Sequence, residues 1–492
     1  MLSLLRRIHW HRRASPPWNG TAPVREELFG IERLEQHAAS LASAQTVSAS
    51  PPPVQSLHRR LDDNGAALLA AYRACARELE SGHEVVPASE WLLDNYHLVE
   101  DQIREIRDDL PPGYYRQLPK LADGPFSGYP RVFGIAWAFI AHTDSHFDPT
   151  TLRKFIVAYQ RVQPLTIGEL WAVAITLRIV LIENLRRLTD QITGGQEARA
   201  DADALADRLL LPGNARAALE ADIAVRSPSP LSERFAAQLA KRLRDQDPRE
   251  MPALAWLEER LLRQNETIEN VVLHAQQRQG ASNVTVRNVI TSMRLISDID
   301  WAALFESVSL VDERLRAASS FASMDFPTRN LYRCAIEQLA RGSPASELDV
   351  VERVLQASQA AMAVATDEVE ANRRGDPGYH LLAGGRSAFE RLIGFQPTLR
   401  LHLNRSVASL GIHGYAGAIL VSALLLLCIA LWVLAAPGLG IGWLALFAVA
   451  GFIPATEIAT ALVNRFVAWC CGPKILPGLD LSAGVPPSLS TL

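Results

Sequence analysis

Between Pro51 and Arg400 the apolar residues recur every three or four positions, with no sustained alternation of period two and no internal repeat, which predicts an all-α domain. Leu92, Tyr96, Val99, Ile103, Ile106 and Leu110 step by fours and threes and fall on one stripe of one helix. Ser89 is placed to cap that helix, and Pro111-Pro112-Gly113 ends it. Thr166 and Glu169 have the spacing of a capping box, with Leu165 and Leu170 as the hydrophobic staple. The helix they open runs to about Asp190 and contains LWAVAITLRIVLI, an apolar run interrupted by Arg178 and too short to cross a bilayer, so it reads as a buried core helix. The same periodicity predicts helices at 25–44, 56–80, 131–143, 148–162, 200–211, 231–245, 252–277, 299–319, 327–341, 346–371 and 386–394. Pro51-Pro52-Pro53, Thr193-Gly194-Gly195 and Gly375-Asp376-Pro377-Gly378 punctuate the pattern.

The pattern changes after residue 410. From Gly414 to Thr456 there is no Asp, Glu, Lys or Arg, and the stretch is broken once, at Ala436-Pro437-Gly438-Leu439-Gly440. This predicts a two-span transmembrane helical hairpin over 411–470. Its first span, 414–436, makes about 35 Å of helix, enough for a hydrocarbon core of about 30 Å, and its second covers 441–463. Tyr415, Trp432 and Trp443 fall near the span ends, at the depth amphipathic rings prefer. Arg386, Arg391, Arg400 and Arg405 precede the hairpin, Arg465 and Lys474 follow it, and the connecting turn is uncharged, so both outer ends and both termini are expected to be cytoplasmic. Glu457, after Pro454, is the one acid near the bilayer and reads best as an interfacial or snorkelling carboxylate.

The remaining divisions follow from these two patterns. Residues 1–24, opening MLSLLRRIHWHRR, lack a secretory apolar region and a cleavage site, and Pro16-Pro17 cuts short any amphipathic helix; they read as a tail. Residues 25–55 form a helix and proline-rich linker, 56–410 the helical cytoplasmic domain, and 471–492 a cytoplasmic tail.

Composition narrows the function more by exclusion than by suggestion. The 492 residues are 48% hydrophobic and 21% charged with a net charge of -4, an ordinary folded balance without the basic footprint that nucleic-acid binding needs. Cys75, Cys334, Cys428, Cys470 and Cys471 have neither disulfide-framework nor zinc-site spacing. Lys120, Lys154, Lys241 and Lys474 are the only lysines among the basic residues, a bias that reads as codon usage.

Few residues suggest chemistry. His142, Asp144 and His146, with Asp148, form the densest group of metal-ligand types, and two histidines four apart on a helix can share an ion. The stretch straddles a helix break, however, and Asp148-Pro149 reads as an N-cap followed by proline at the first helical position, so the metal reading is the weaker one. Asp298-Ile299-Asp300 and Asp201-Ala202-Asp203 match the D-x-D pattern of cation-holding transferases but lie in helical sequence, where capping or a solvated face explains them. The 111–131 connection carries Tyr114, Tyr115, Phe126 and Tyr129, which read as rings packed on the core in preference to a sugar-facing platform. No dinucleotide, P-loop, serine-hydrolase or zinc-protease motif is present, so no catalytic or cofactor-binding residue is assigned.

Long blocks nevertheless resemble the N-terminal region of cyclic β-1,2-glucan synthases. They are REELFGIERLEQHA (25–38), EWLLDNYHLVEDQIREIRDDLPPGYYRQLPKL (90–121), GYPRVFGIAWAFIAHTDSHFDP (128–149), YQRVQPLTIGELWAVAITLRIVLIENLRRL (159–188), ASNVTVRNVITSMRLISDIDW (281–301) and FPTRNLYRCAIEQLARGS (326–343), followed by the hairpin, ALVNRFVAW (461–469) and KILPGLDLSAGVP (474–486). The resemblance implies a bacterial inner-membrane glucosyltransferase that uses UDP-glucose and a divalent cation. In it the helical region and first spans precede a transferase domain and a phosphorylase-like domain, the expected partners here besides the lipid bilayer. The family's transferase acids and its Q-x-x-R-W acceptor motif have no counterpart in this chain. Leu492 falls about where the first transferase strand would begin, so the expectation is a scaffold-and-anchor piece with its catalytic domain elsewhere. A free-standing, non-enzymatic membrane-anchored adaptor or regulator is the competing expectation.

Overall fold

The computed structural model describes residues 20–81, 86–210, 231–244, 252–365, 367–409, 411–435, 440–471, 476–481 and 484–485. The chain divides between Ser309 and Leu310 into two units, a division that falls inside the 56–410 stretch.

The first unit contains α1 (Ile31–Ala44), α2 (Leu57–Glu80), α3 (Pro87–Asp109), α4 (Pro112–Gln117), α5 (Arg131–His142), α6 (Pro149–Gln160), α7 (Ile167–Leu210), α8 (Glu233–Leu243), α9 (Pro252–Leu262), α10 (Ile268–Asp298) and α11 (Trp301–Val308). Two short strands, β1 (Val47–Ser48) and β2 (Lys120–Leu121), pair antiparallel with Val47 opposite Leu121. The all-α expectation therefore holds apart from this ribbon. Helix α7 is the axis, touched by α2, α3, α5, α8 and α10. Its residues Leu177, Val180, Leu181, Leu185 and Leu188 are buried, as a helix apolar around its circumference must be in a soluble setting. Thr166 and Glu169 form the expected reciprocal bonds: the Glu169 amide donates to the Thr166 hydroxyl at 3.2 Å, and the Thr166 amide to the Glu169 carboxylate at 3.0 Å.

The α3 stripe is buried as read, from Leu92 and Val99 at 0% exposure to Tyr96 at 8%. Its start is different. Val86 occupies the N-cap position and Pro87 opens the helix, while Ser89 lies buried in the first turn, because proline pre-organises that first position. The expected break at Thr193-Gly194-Gly195 is also overturned, since α7 continues to Leu210. A Cβ on Gly195 would lie 2.7 Å from an Arg234 guanidinium nitrogen, and that guanidinium donates to the Gln191 carbonyl. The glycine makes room for a crossing side chain from α8; it does not end the helix. Conversely, the helix expected over 252–277 breaks near Asn265, which takes a left-handed conformation, φ 58°. Thr267 then caps α10, which runs on through Gly280 to Asp298, a stretch the polar sequence concealed. The helices expected over 299–319 and 346–371 are each split, at Ser309 and after Val364, and α1 begins at Ile31 rather than 25.

The second unit contains α12 (Leu310–Ala318), α13 (Phe326–Arg341), α14 (Glu347–Val364), α15 (Glu368–Gly375), α16 (Pro377–Leu381), α17 (Arg386–Ile393), α18 (Leu399–Ser409), α19 (Gly411–Ala435) and α20 (Ile441–Cys471). Arg333 of α13 and Asp312 of α12 are both fully buried and joined by two bonds, 3.0 and 2.5 Å, with the guanidinium between the rings of Phe321 and Phe326. Two helices at the C-terminal end, α19 and the Ile441–Trp469 part of α20, are long and apolar enough to cross a membrane. They pair with each other through Ala423, Ala455 and Ala459, and the Tyr415 hydroxyl donates to Asn464 at 2.6 Å. Helix α20 extends past the predicted end at 463, carrying Arg465 on the same helix. The turn residues 437–439 and most of the 1–24 tail lie outside the described residues.

Candidate functional site

The stretch from His142 to Asp148 gathers the sequence's strongest metal-ligand candidates, and the fold disperses them. Helix α5 ends at His142, so His146 is not one turn further along the same helix; it is exposed. Asp144 and Ser145 instead turn the chain with positive φ, 50° and 61°. That turn is pinned from three sides. The Asp144 carboxylate accepts from Thr285 of α10 at 2.8 Å and faces Arg25 at 3.3 Å. Asn288 donates to the Asp144 carbonyl at 3.0 Å, and Ser292 to the Ser145 carbonyl at 2.7 Å. Asn184 of α7 donates to the Ser145 hydroxyl at 2.7 Å and accepts from the Val24 amide at 2.7 Å.

The His142 ring lies flat on Phe29, with centroids 4.0 Å apart. Its Nδ1 is 2.7 Å from the Glu27 carbonyl, which can only accept, so that nitrogen carries the proton; Nε2 faces the Glu26 carboxylate at 3.2 Å. The Asp144 carboxylate is taken up by Thr285 and Arg25, and His146 is exposed beyond the turn, so the sequence's candidates are not gathered into one ligand set. Among the described residues no group of three or more His, Cys, Asp or Glu is placed to hold a metal ion. The segment works as a keystone joining the N-terminal strand of chain to α7 and α10.

The D-x-D pairs resolve in the same way. Asp300 caps α11 by accepting from the Ala303 amide at 3.0 Å, and Asp203 on α7 accepts from Gln238 of α8 at 2.9 Å. The 111–131 connection is packed on the core, and it contains α4 and β2. Tyr115 and Tyr129 are buried, the Tyr114 hydroxyl donates to the Gly168 carbonyl at 2.5 Å, and Phe126 packs against Phe133 and Trp137. Burial pushes the Tyr115 phenol up to about 12. Tyr115 and Tyr129 belong to the interior, and Tyr114 and Phe126 are half-buried at its edge.

The sequence reading missed the most concentrated charge in the first unit. Glu183, fully buried on α7, accepts from Arg60 of α2 at 2.9 and 2.7 Å, from Asn64 at 2.8 Å and from Arg187 at 2.8 Å. Burial alone would raise its carboxyl, but the Arg60 and Arg187 guanidiniums outweigh it and hold the group down to about 2. A second buried pair joins Arg131 to Glu169, the capping-box residue, at 2.7 and 2.5 Å. The only local signals were the Glu183/Arg187 spacing and a carboxylate inside an apolar run. The pairings with residues more than a hundred positions away leave no trace in a single sequence.

In the second unit the chain beyond the two apolar helices returns to the helical part. The Asp325 amide donates to the Gly478 carbonyl at 3.1 Å, the Gly478 amide to the Thr328 hydroxyl at 2.7 Å, and the Asp480 amide to the Ser323 carbonyl at 3.0 Å. Met324 and Leu479 form an antiparallel bridge. A Cβ on Gly478 would lie 2.6 Å from the Asp325 carboxylate, so only glycine lies this close to the α13 N-cap.

No family model matches the chain. It is, however, 36% identical over 482 residues to the cyclic beta-(1,2)-glucan synthase NdvB of Rhizobium meliloti (strain 1021). The matched region is 95% of this chain and 16% of that protein. The extent of the match, with the two apolar helices, points to a membrane-associated chain similar to a segment of such a synthase. The resemblance read from the sequence blocks therefore holds along almost the whole molecule, and the chain is similar to a segment of a cyclic β-1,2-glucan synthase.

Proposed function

We propose that these residues form the cytoplasmic helical scaffold and membrane anchor of a glucosyltransferase that builds cyclic β-1,2-glucan from UDP-glucose, and that the transfer chemistry resides in parts of the protein outside this sequence. The observation that carries the reading is the similarity over 95% of the chain to a protein named for that synthesis. The geometry of Asp144, Asp148, Asp203 and Asp300 fits a structural part, because these carboxylates are tied into caps, a turn and an interhelical bond of the fold. No step is routed through a divalent cation, since among the described residues no group of three or more His, Cys, Asp or Glu is placed to hold one. Any cation that accompanies UDP-glucose belongs with the transferase domain.

The hairpin is assigned to the bacterial inner membrane with both outer ends in the cytoplasm. Basic residues flank it on both sides, and the return of residues 476–480 to Ser323–Thr328 supports placing the two outer ends on one face of the bilayer.

The test supplies labelled UDP-glucose to membranes holding either this chain alone or the longer product of the same reading frame. The chain alone is expected to incorporate nothing above a heat-killed control, and the longer product to make β-1,2-glucan. Incorporation by the chain alone overturns the reading. A longer product that keeps full glucan synthesis without residues 25–400 favours the adaptor instead.

A further inference from the structure

The second apolar helix, α20, carries a carboxylate where a lone membrane hairpin has no use for one. Ala455 and Ala459 are buried against α19, and Glu457, midway between them, points away from that helix and is exposed on the hairpin. It has no hydrogen-bond or ionic partner among the described residues, and no other acid or base occurs between Gly414 and Asn464. Its depth follows from the pair formed by Tyr415 and Asn464, since a tyrosine hydroxyl marks the headgroup level. Glu457 lies two turns before Asn464 along α20, about 10 Å inward from that headgroup level. A glutamate with two methylenes is too short to snorkel that far, unlike lysine or arginine.

An ionisable group facing lipid at that depth is costly, and such groups are found paired inside bundles. Ala450, Pro454 and Ala461 lie within two turns of Glu457 on its side of α20 and are exposed, beside the exposed Ile453, and small residues next to a larger apolar one let a neighbouring helix approach closely and pack. A second copy of the chain joined through this face about a two-fold axis would set Glu457 against itself, like charge to like. Charge complementarity favours the opposite sign.

We propose that Glu457 is the docking point for a further membrane-spanning helix, one that presents an arginine or lysine at matching depth. The proposal rests on the membrane reading of α19 and α20.

The test uses the full-length protein in its own membrane, with photo-reactive benzoylphenylalanine in place of Ala461. The expected adduct is a peptide from an apolar membrane segment containing Arg or Lys. Glu457→Gln, which keeps the shape and removes the charge, should lower its yield about three- to fifteenfold. Adducts to lipid only, adducts to a second copy only, or a yield unchanged by Glu457→Gln each overturn the proposal. The same probe in place of Val421, exposed on α19, separates the two readings: it should label lipid acyl chains. Failure there rejects the membrane placement and the docking point together, whereas lipid labelling at Val421 without the Ala461 adduct rejects the docking point alone.

Discussion

Glu183 shows what one residue contributes when its charge is caged. Its carboxyl is held at about 2 in the fold against 4.5 in an open chain, so the folded state binds fewer protons than the unfolded one between those values. The associated stability is complete above pH 4.5 and is lost as the pH falls through the folded value, amounting to about 3 kcal/mol. Chemical denaturation followed from pH 6 to pH 3 should show about 2 kcal/mol of this fall, and Glu183→Gln should remove it. At neutral pH the same variant leaves Arg60 and Arg187 facing an uncharged amide and should cost about 3–5 kcal/mol. Ile103 makes the apolar counterpart. It is buried on the α3 stripe, and a Cβ on Gly65 of α2 would lie 3.2 Å from its Cδ1, which shows how closely the two helices approach. Ile103→Ala should cost about 2–5 kcal/mol, read as a lowered denaturation midpoint. An unchanged midpoint would mean the stripe is not core.

At the scale of elements, the fold depends on places where one segment admits another. Gly195 lets Arg234 of α8 cross α7, and Gly478 lets the segment after the apolar helices lie against the α13 N-cap. The second contact has a direct consequence. Gly478→Val would drive its side chain into the Asp325 carboxylate, and overpacking of this kind costs about 1–3 kcal/mol. The segment 476–481 should then be released, so limited proteolysis should cut there in the variant under conditions that spare the parent protein. Equal cleavage in both would show that the bridge between Met324 and Leu479 does not hold the segment.

For the whole molecule the membrane sets the sharpest expectation. Both ends of the hairpin are proposed to face the cytoplasm, so the turn between α19 and α20 faces the periplasm. A cysteine in place of Gly438 should react with a membrane-impermeant thiol reagent in intact cells whose outer membrane has been made permeable. Labelling only after the inner membrane is opened would reverse the topology, and would separate residues 476–480 from the cytoplasmic side on which the helical domain is placed.

The sequence by itself determined whatever is fixed within a helical turn or two. The α3 stripe, the capping box at Thr166 and Glu169, the Asp148-Pro149 helix start and the two long apolar helices all follow from side chains within a few positions of one another, the range over which helix periodicity and capping act. Tertiary structure decided the rest. Gly194-Gly195 read locally as a break, yet α7 passes through it with neighbouring helices packed along it. His142, Asp144 and His146 have ligand chemistry in the sequence, but His142 and Asp144 find their partners in Glu26, Glu27, Arg25 and Thr285, and after the left-handed turn His146 is exposed. Glu183 is caged by Arg60 from another helix, and Gly478 meets Asp325 only after the chain has passed through both apolar helices. Contacts between distant positions arise from folding in three dimensions, and in one sequence nothing marks them in advance.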